Sequence, residues 1–191
     1  MLDFWFGAPG TPEHGQPRQA WFKKSAAFDA EIRARFLALY EQAARGERAD
    51  WARDAHDSLA LIVVLDQFPR NLFREGPDPN TAARAFATDP PALALARSLV
   101  ARGADRQLAP LERWFAYMPF EHAEAMEAQR EALRLFTQLK AETGLAEPLP
   151  WAQQHYDVIA RFGRFPHRNA VLGRESTAAE TEFLKQPGSR F

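Results

Sequence analysis

The chain has 191 residues, no cysteine and a formal net charge of -1, with 24 lysines and arginines against 25 acids. That balance excludes global recruitment by nucleic acid or an anionic membrane, so any charge-based recognition has to be local. The absence of cysteine removes disulfides, thiolate zinc sites, iron–sulfur clusters and cysteine nucleophiles, and suits a reducing, cytoplasmic compartment. The length fits a single domain over residues 1–191. The start, "MLDFWFGAPG", lacks the charged and apolar regions of a signal peptide, and the longest aliphatic run, "LALIVVL" at 59–65, is far short of a membrane span.

Apolar residues then recur at helical spacing. Phe4, Trp5 and Phe6, with Trp21 and Phe22, read as core that anchors the N-terminus, across a Pro/Gly-rich loop at 7–18. In "FDAEIRARFLALYEQAARG", Phe28, Ile32, Phe36, Leu39, Tyr40 and Ala43 form one stripe, and Gly46 supplies a left-handed stop. Asp50 is expected to cap the next helix, from Trp51 toward Gln67, whose "LALIVVL" centre is apolar all round and belongs in the middle of the fold. A loop at 75–80 and a short helix from about Thr81 follow. "DPPALALARSLVARG" combines an Asp89 cap, prolines in the first turn and an exit at Gly103. "PLERWFAYM" predicts a short helix ended by Pro119, and "FEHAEAMEAQREALRLFTQLKAETG" a long one before Gly144. "LPWAQQHYDVIARFG" closes at Gly163, and Thr177 with Glu180 forms the capping box of a last helix. No alternating strand pattern occurs, so the expected fold class is all-α, and short connections favour stacked antiparallel hairpins.

Two phrases echo each other: "LDQFPRN" at 65–71 and "RFGRFPHRN" at 161–169. Proline fixes its own φ and pushes the preceding Phe out of the α region, so each phrase is expected to break the incoming helix and restart a turn. Arg70, and His167 with Arg168, would then stand at a helix N-terminus, where an exposed cation is unfavourable by about 0.3–1 kcal/mol and calls for an anion. This predicts a pocket lined by Gln67, Arg70, Asn71, Arg161, Arg164, His167, Arg168 and Asn169 that takes a small anionic ligand or an acidic peptide segment. The alternative is an internal ion-pair network with Asp66, Glu75, Glu121, Glu124 or Glu175 as counter-ions. A third reading makes the cleft the site of a hydrolase-type enzyme. There Asp66, Glu121 or Glu124 would be general base and His122 or His167 general acid.

In "YMPFEHAEAME", Glu121 and Glu124 follow a proline and suit the first turn of a helix, whereas His122 has no such explanation. Glu124 with His122 or His167 offers the donor types of a divalent metal site. The helical H-E-x-x-H spacing and any Asp-x-Asp loop are absent, so no metal and no cofactor are assigned. His56 beside Asp57 and His155 near Asp157 read as hydrogen-bonding histidines, and His14 is given no role. The chain has no G-x-S-x-G elbow, no phosphate-binding G-x-x-x-x-G-K-[ST] loop and no G-x-G-x-x-G fingerprint.

Taken in order, "LDFWFG", "WFKKSAAFDAEIRARF", "LIVVLDQFPRNLFR", "ERWFAYMPFEHAEAMEAQ" and "RFGRFPHRNAVLGRESTAAETEFL" resemble a bacterial family known as domain of unknown function 924 (DUF924), over nearly the whole chain. The resemblance implies an all-helical fold like that of tetratricopeptide repeats, a right-handed superhelical stack with a concave face, and no established activity. It carries the family's phrases onto residues 66–71, onto Pro119, Glu121, His122 and Glu124, and onto Arg161, Arg164, residues 165–169 and Glu175. Ser25 departs from it, because the resemblance leads one to expect an acid after "WFKK". Nucleic-acid binding is not expected, since the basic phrases are balanced by nearby acids, and a homodimer is compatible with the apolar surface of a helical stack.

Overall fold

The computed structural model describes residues 1–74 and 79–189, so Glu75 and most of the expected loop at 75–80 lie outside the described residues. Every regular element among the described residues is helical, and the fold is all-α. The chain opens on one turn, α1 (Leu2–Phe6), which ends at Gly7 with φ 85°. A Cβ at Gly7 would meet the Glu13 backbone at 2.7 Å, so glycine is required there on two counts. Trp5 is fully buried, with its ring 5.6 Å from those of both Phe68 and Phe115, and Trp21 lies 4.7 Å from Phe115. The N-terminal aromatic core is present as expected, except that Phe22 turns outward against Trp114 and is 55% exposed.

Helix α2 (Ala26–Ala44) buries Phe28, Ile32, Phe36, Tyr40 and Ala43 along one stripe. Ser25 is its N-cap, accepting from the Phe28 N–H at 3.3 Å, which gives that position a role needing no acid.

The central rod departs from expectation. Residues Ala49–Arg53 wind into a 3-10 turn, so Asp54 rather than Asp50 caps the helix, accepting from the His56 and Asp57 amides at 2.8 and 3.3 Å. Helix α3 (Ala55–Ile62) runs through a wide π-turn over Val63–Gln67 straight into α4 (Phe68–Leu72), and Pro69 does not break it. Phe68 keeps helical φ −58° and ψ −38°. A proline ring clashes with the carbonyl four residues back and leaves it without a donor. The extra residue of a π-turn relieves that clash, and Thr88 Oγ1 donates to the Leu65 carbonyl at 2.6 Å in place of the missing N–H. Thr88→Val leaves this buried carbonyl unpaired, and urea denaturation is expected to show a loss of about 1–3 kcal/mol.

After α5 (Pro79–Ala83) and α6 (Asp89–Ala101), helix α7 (Pro110–His122) carries Pro119 internally as well. Phe115, Tyr117 and Phe120 bury the segment around the proline, and the helix stops only at Ala123, whose backbone is extended. The Gln129 amide donates to the carbonyls of Glu121 and Ala123 at 2.7 and 2.8 Å, capping that end. Glu121 and His122 therefore close α7 instead of opening the next helix, and the dipole no longer accounts for Glu121.

Helices α8 (Met126–Thr143) and α9 (Pro148–Phe162) complete the stack, with α8 packed along both α7 and α9 and α3 packed against α6 and α7. The expected stops at Gly46, Gly103, Gly144 and Gly163 all have positive φ. One apolar core joins residues from Trp5 to Ala152, and Val158, Ile159 and Phe165 make a smaller one beneath the C-terminal segment. Here the predicted break is present: Phe165 is extended and Pro166–Arg168 form a single 3-10 turn. The last helix, α10 (Ala178–Phe183), begins at the Thr177–Glu180 capping box, with bonds of 3.2 and 2.7 Å. No helix among the described residues is long and apolar enough to cross a membrane.

Candidate functional site

The π-turn carries Asp66 and Gln67 into the interior, where the end of α7, the start of α6 and the 3-10 turn at Pro166–Arg168 converge. Asp66 is fully buried. Its carboxylate accepts from Gln67 Nε2 at 2.6 Å and from His122 Nδ1 at 2.8 and 3.0 Å, and Arg70 lies 3.6 Å away. Arg70 turns its fork to Asp89 at 2.9 and 3.1 Å and also donates to the Asp66 carbonyl. Arg168 reaches the same Asp89 carboxylate at 3.0 Å, with its guanidinium 4.5 Å from the Phe86 ring and 4.6 Å from the Phe165 ring. One aspartate thus joins two arginines from distant parts of the chain. The His122 and His155 rings stand 6.0 Å apart, and the Phe165 ring lies 5.4 Å from His155 and 5.7 Å from His167.

Burial sets the protonation states. It would raise the Asp66 carboxyl, but His122 and Arg70 outweigh it and hold this group down at about 2. Glu121 is pushed well above the carboxylate range by burial and then by the charge of Asp66, so two neighbouring carboxyls are driven apart. Burial lowers His122, with Arg70 second. It lowers His155 to about 3, with His122 second, and His167 to about 3, with Arg168 second. Arg168 falls to about 10 through burial and the nearby Arg70. Such perturbed groups cluster in functional sites and in structural networks alike, so geometry has to decide.

The predicted ligand-binding residues do not form one pocket. Gln67, Arg70, His167 and Arg168 belong to the buried cluster. Asn71 is turned away to Asp29 at 2.7 Å, and Asn169 donates to Ser176 Oγ at 3.0 Å. Arg164 binds Glu180 through two bonds of 2.7 and 2.8 Å and the Glu175 carbonyl at 2.9 Å, and Arg161 lies exposed at the end of α9. Arg70 is also not at a helix N-terminus, because the rod continues through Pro69. Of the predicted acid–base candidates, Asp66, Glu121 and His122 come together with His167 close by. Glu124 is engaged by Arg174 at 2.6 and 2.9 Å and accepts the Phe165 N–H at 2.7 Å.

Of the expected counter-ions, Asp66 faces Arg70 and Glu124 faces Arg174, while Glu175 offers Arg164 only its backbone. Sequence reasoning missed Asp89, read as a helix cap; His155, which lies in none of the motif phrases; and Arg174 and Gln129. Asp89 precedes two prolines that already supply a helix start, and this redundancy was the only sign that its carboxylate is used elsewhere.

Fold and cluster together define a class: an all-α protein with an unusually polar centre enclosed by its helices. The chain belongs to the family described as bacterial protein of unknown function (DUF924), whose model matches residues 1–188. It is similar to the solved structure of a protein of unknown function, ATU0120, from Agrobacterium tumefaciens. The two are 42% identical with a TM-score of 0.78, over 87% of this chain and 88% of the other. No curated protein matches it.

Proposed function

We propose that the protein is a cytoplasmic binding protein for a small ligand that joins an anionic group, phosphate or carboxylate, to an apolar part. The ligand is held on the face between the end of α9 and α10. The observation that supports this is Arg161. Its guanidinium lies over the Phe162 and Phe183 rings at 4.7 and 5.9 Å and makes no ion pair with any described residue. Beside it is an open depression of about 570 Å³ lined by Arg161, Phe162, Arg164, Thr177, Ala179 and Glu180. That volume falls within the roughly 300–1,000 Å³ of small-molecule sites. The inner arginines Arg70 and Arg168 already hold Asp89, so the ligand is assigned to the outer cation, with Arg164 as its neighbour.

A hydrogen bond to a charged group contributes about 1.5–3 kcal/mol, which corresponds to roughly tenfold or more in affinity. Calorimetric titration with phenyl phosphate is expected to show saturable binding that weakens at least about tenfold in Arg161→Ala, an exposed substitution that leaves the fold intact. Inorganic phosphate, lacking the apolar part, is expected to bind more weakly. Absence of saturable binding, or binding untouched by Arg161→Ala, would overturn the assignment.

A further inference from the structure

We propose that Glu121, His122 and His155 form a binding site for one divalent transition-metal ion of the zinc type. The three come from the last turn of α7 and from α9, and one ligating atom of each lies within 4.8 Å of the others. Ligands at about 2.1 Å around a tetrahedral zinc ion sit about 3.4 Å apart, so side-chain rotations of about 1 Å close the triangle.

Both imidazoles are already oriented as metal-bound histidines are. His122 directs Nδ1 to the Asp66 carboxylate at 2.8 and 3.0 Å, and His155 directs Nδ1 to the Trp151 carbonyl at 2.9 Å. A carbonyl or an ionised carboxylate can only accept, so the proton of each neutral ring sits on Nδ1 and the lone pair on Nε2. Metal-ligating histidines almost always make this outer hydrogen bond to a carboxylate or backbone carbonyl, which fixes their tautomer and direction.

Glu121 supplies an independent observation. It is 2% exposed, and its Oε2 has no hydrogen-bond partner. A buried carboxyl oxygen left this way calls for a reason, and ligation provides one. The charges around it also allow the ion: Arg70 and Arg168 are matched by Asp66 and Asp89, so the ion displaces the Glu121 proton to solvent and gains an anionic ligand beside two neutral imidazoles. Two histidines and one glutamate are a known zinc ligand set that keeps a fourth position open for water or substrate. The anion-binding face between α9 and α10 shares none of these residues, so either assignment can fail without the other.

Chelator-stripped, untagged protein is expected to take up one equivalent of zinc, and cobalt is expected to give the visible d–d bands of a four- or five-coordinate site. Glu121→Gln, which keeps the shape of the neutral acid, and His155→Gln are each expected to weaken zinc binding at least about tenfold, with circular dichroism unchanged. Asp66→Asn removes the carboxylate that orients His122 and is expected to cost about tenfold to a hundredfold. Should these variants fail to fold, histidine ring resonances of the wild type decide, because zinc is expected to shift those of His122 and His155 and leave His14 and His56 unmoved. The proposal is overturned by a wild type that takes up no zinc, by equal uptake in well-folded Glu121→Gln and His155→Gln, or by zinc that shifts only His14 or His56.

Discussion

Asp89→Ala is expected to destabilise the protein by about 3–5 kcal/mol, because it strips the shared carboxylate from two inward-facing guanidinium groups at once. The Arg168 side chain is 7% exposed and has a third contact surface only in the Phe86 and Phe165 rings, so it cannot recover its hydration by moving outward. Arg70 keeps the Asp66 carbonyl and a more distant Asp66 carboxylate, and is the less affected of the two. Urea denaturation measures the loss. Arg168→Met in the Asp89→Ala background replaces a buried cation by an apolar chain of similar length between two aromatic rings, and part of the stability is expected to return. If Asp89→Ala costs less than about 1 kcal/mol, the figure typical of exposed pairs, the shared carboxylate is not what holds these arginines in place.

Acid is expected to weaken the metal-free protein well before its carboxylates titrate. His155 and His167 are held neutral, with folded-state values of about 3, chiefly by burial. In the unfolded chain they take up protons near pH 6.5, about 3.5 units higher. Between these values the unfolded state binds more protons, so stability is full above about pH 6.5 and falls as the pH drops below it. Over the interval from about 6.5 to 4.5 the two groups together remove roughly 5 kcal/mol. Asp66, held down at about 2, adds a loss in the same direction once the pH falls below about 4. Glu121 acts in the opposite sense, since its folded form keeps the proton and is favoured by acid. Urea midpoints at pH 7.5 and 4.5, with chelator present, check this. His167→Gln is expected to reduce the drop, and a flat profile over that range would show that the histidines are free to charge in the folded state.

The parts of this protein that follow local rules were legible in its residues. Five apolar positions of α2 at helical spacing, the glycine stops and the Thr177–Glu180 capping box all stand where spacing alone put them, because each depends on neighbours within a turn or two. The break at Phe165 was legible for the same reason: Gly163 had already ended the incoming helix. Pro69 and Pro119 were misjudged. A proline breaks a helix by orphaning a carbonyl and crowding it, and at Pro69 a remote side chain, Thr88, together with a π-turn, removes both penalties. At Pro119 the buried aromatic segment holds the helix past the proline, and Gln129 secures its end a turn later. Neither compensation leaves a mark near the proline itself.

The candidate site was legible in composition but not in arrangement. Asp66, Glu121, His122, His167, Arg70 and Arg168 were all candidate site residues or counter-ions, and the cluster contains all six. Their partners did not stand out. Asp89 meets Arg168 across 79 residues of sequence, and His155 was an ordinary-looking member of an amphipathic helix.

By itself the sequence determined that this is an all-α chain, where most of its helices end, and which side chains carry charge that must be answered. The tertiary structure decided how that charge is answered: Asp89 holds the inner arginines, Glu180 holds Arg164, and Arg161 faces solvent without an ion pair to any described residue. Helix periodicity and capping are set within a few residues of the chain. Pairing of buried charges is set by which helices pack together, and low-dielectric burial then makes each pairing costly to leave unmade.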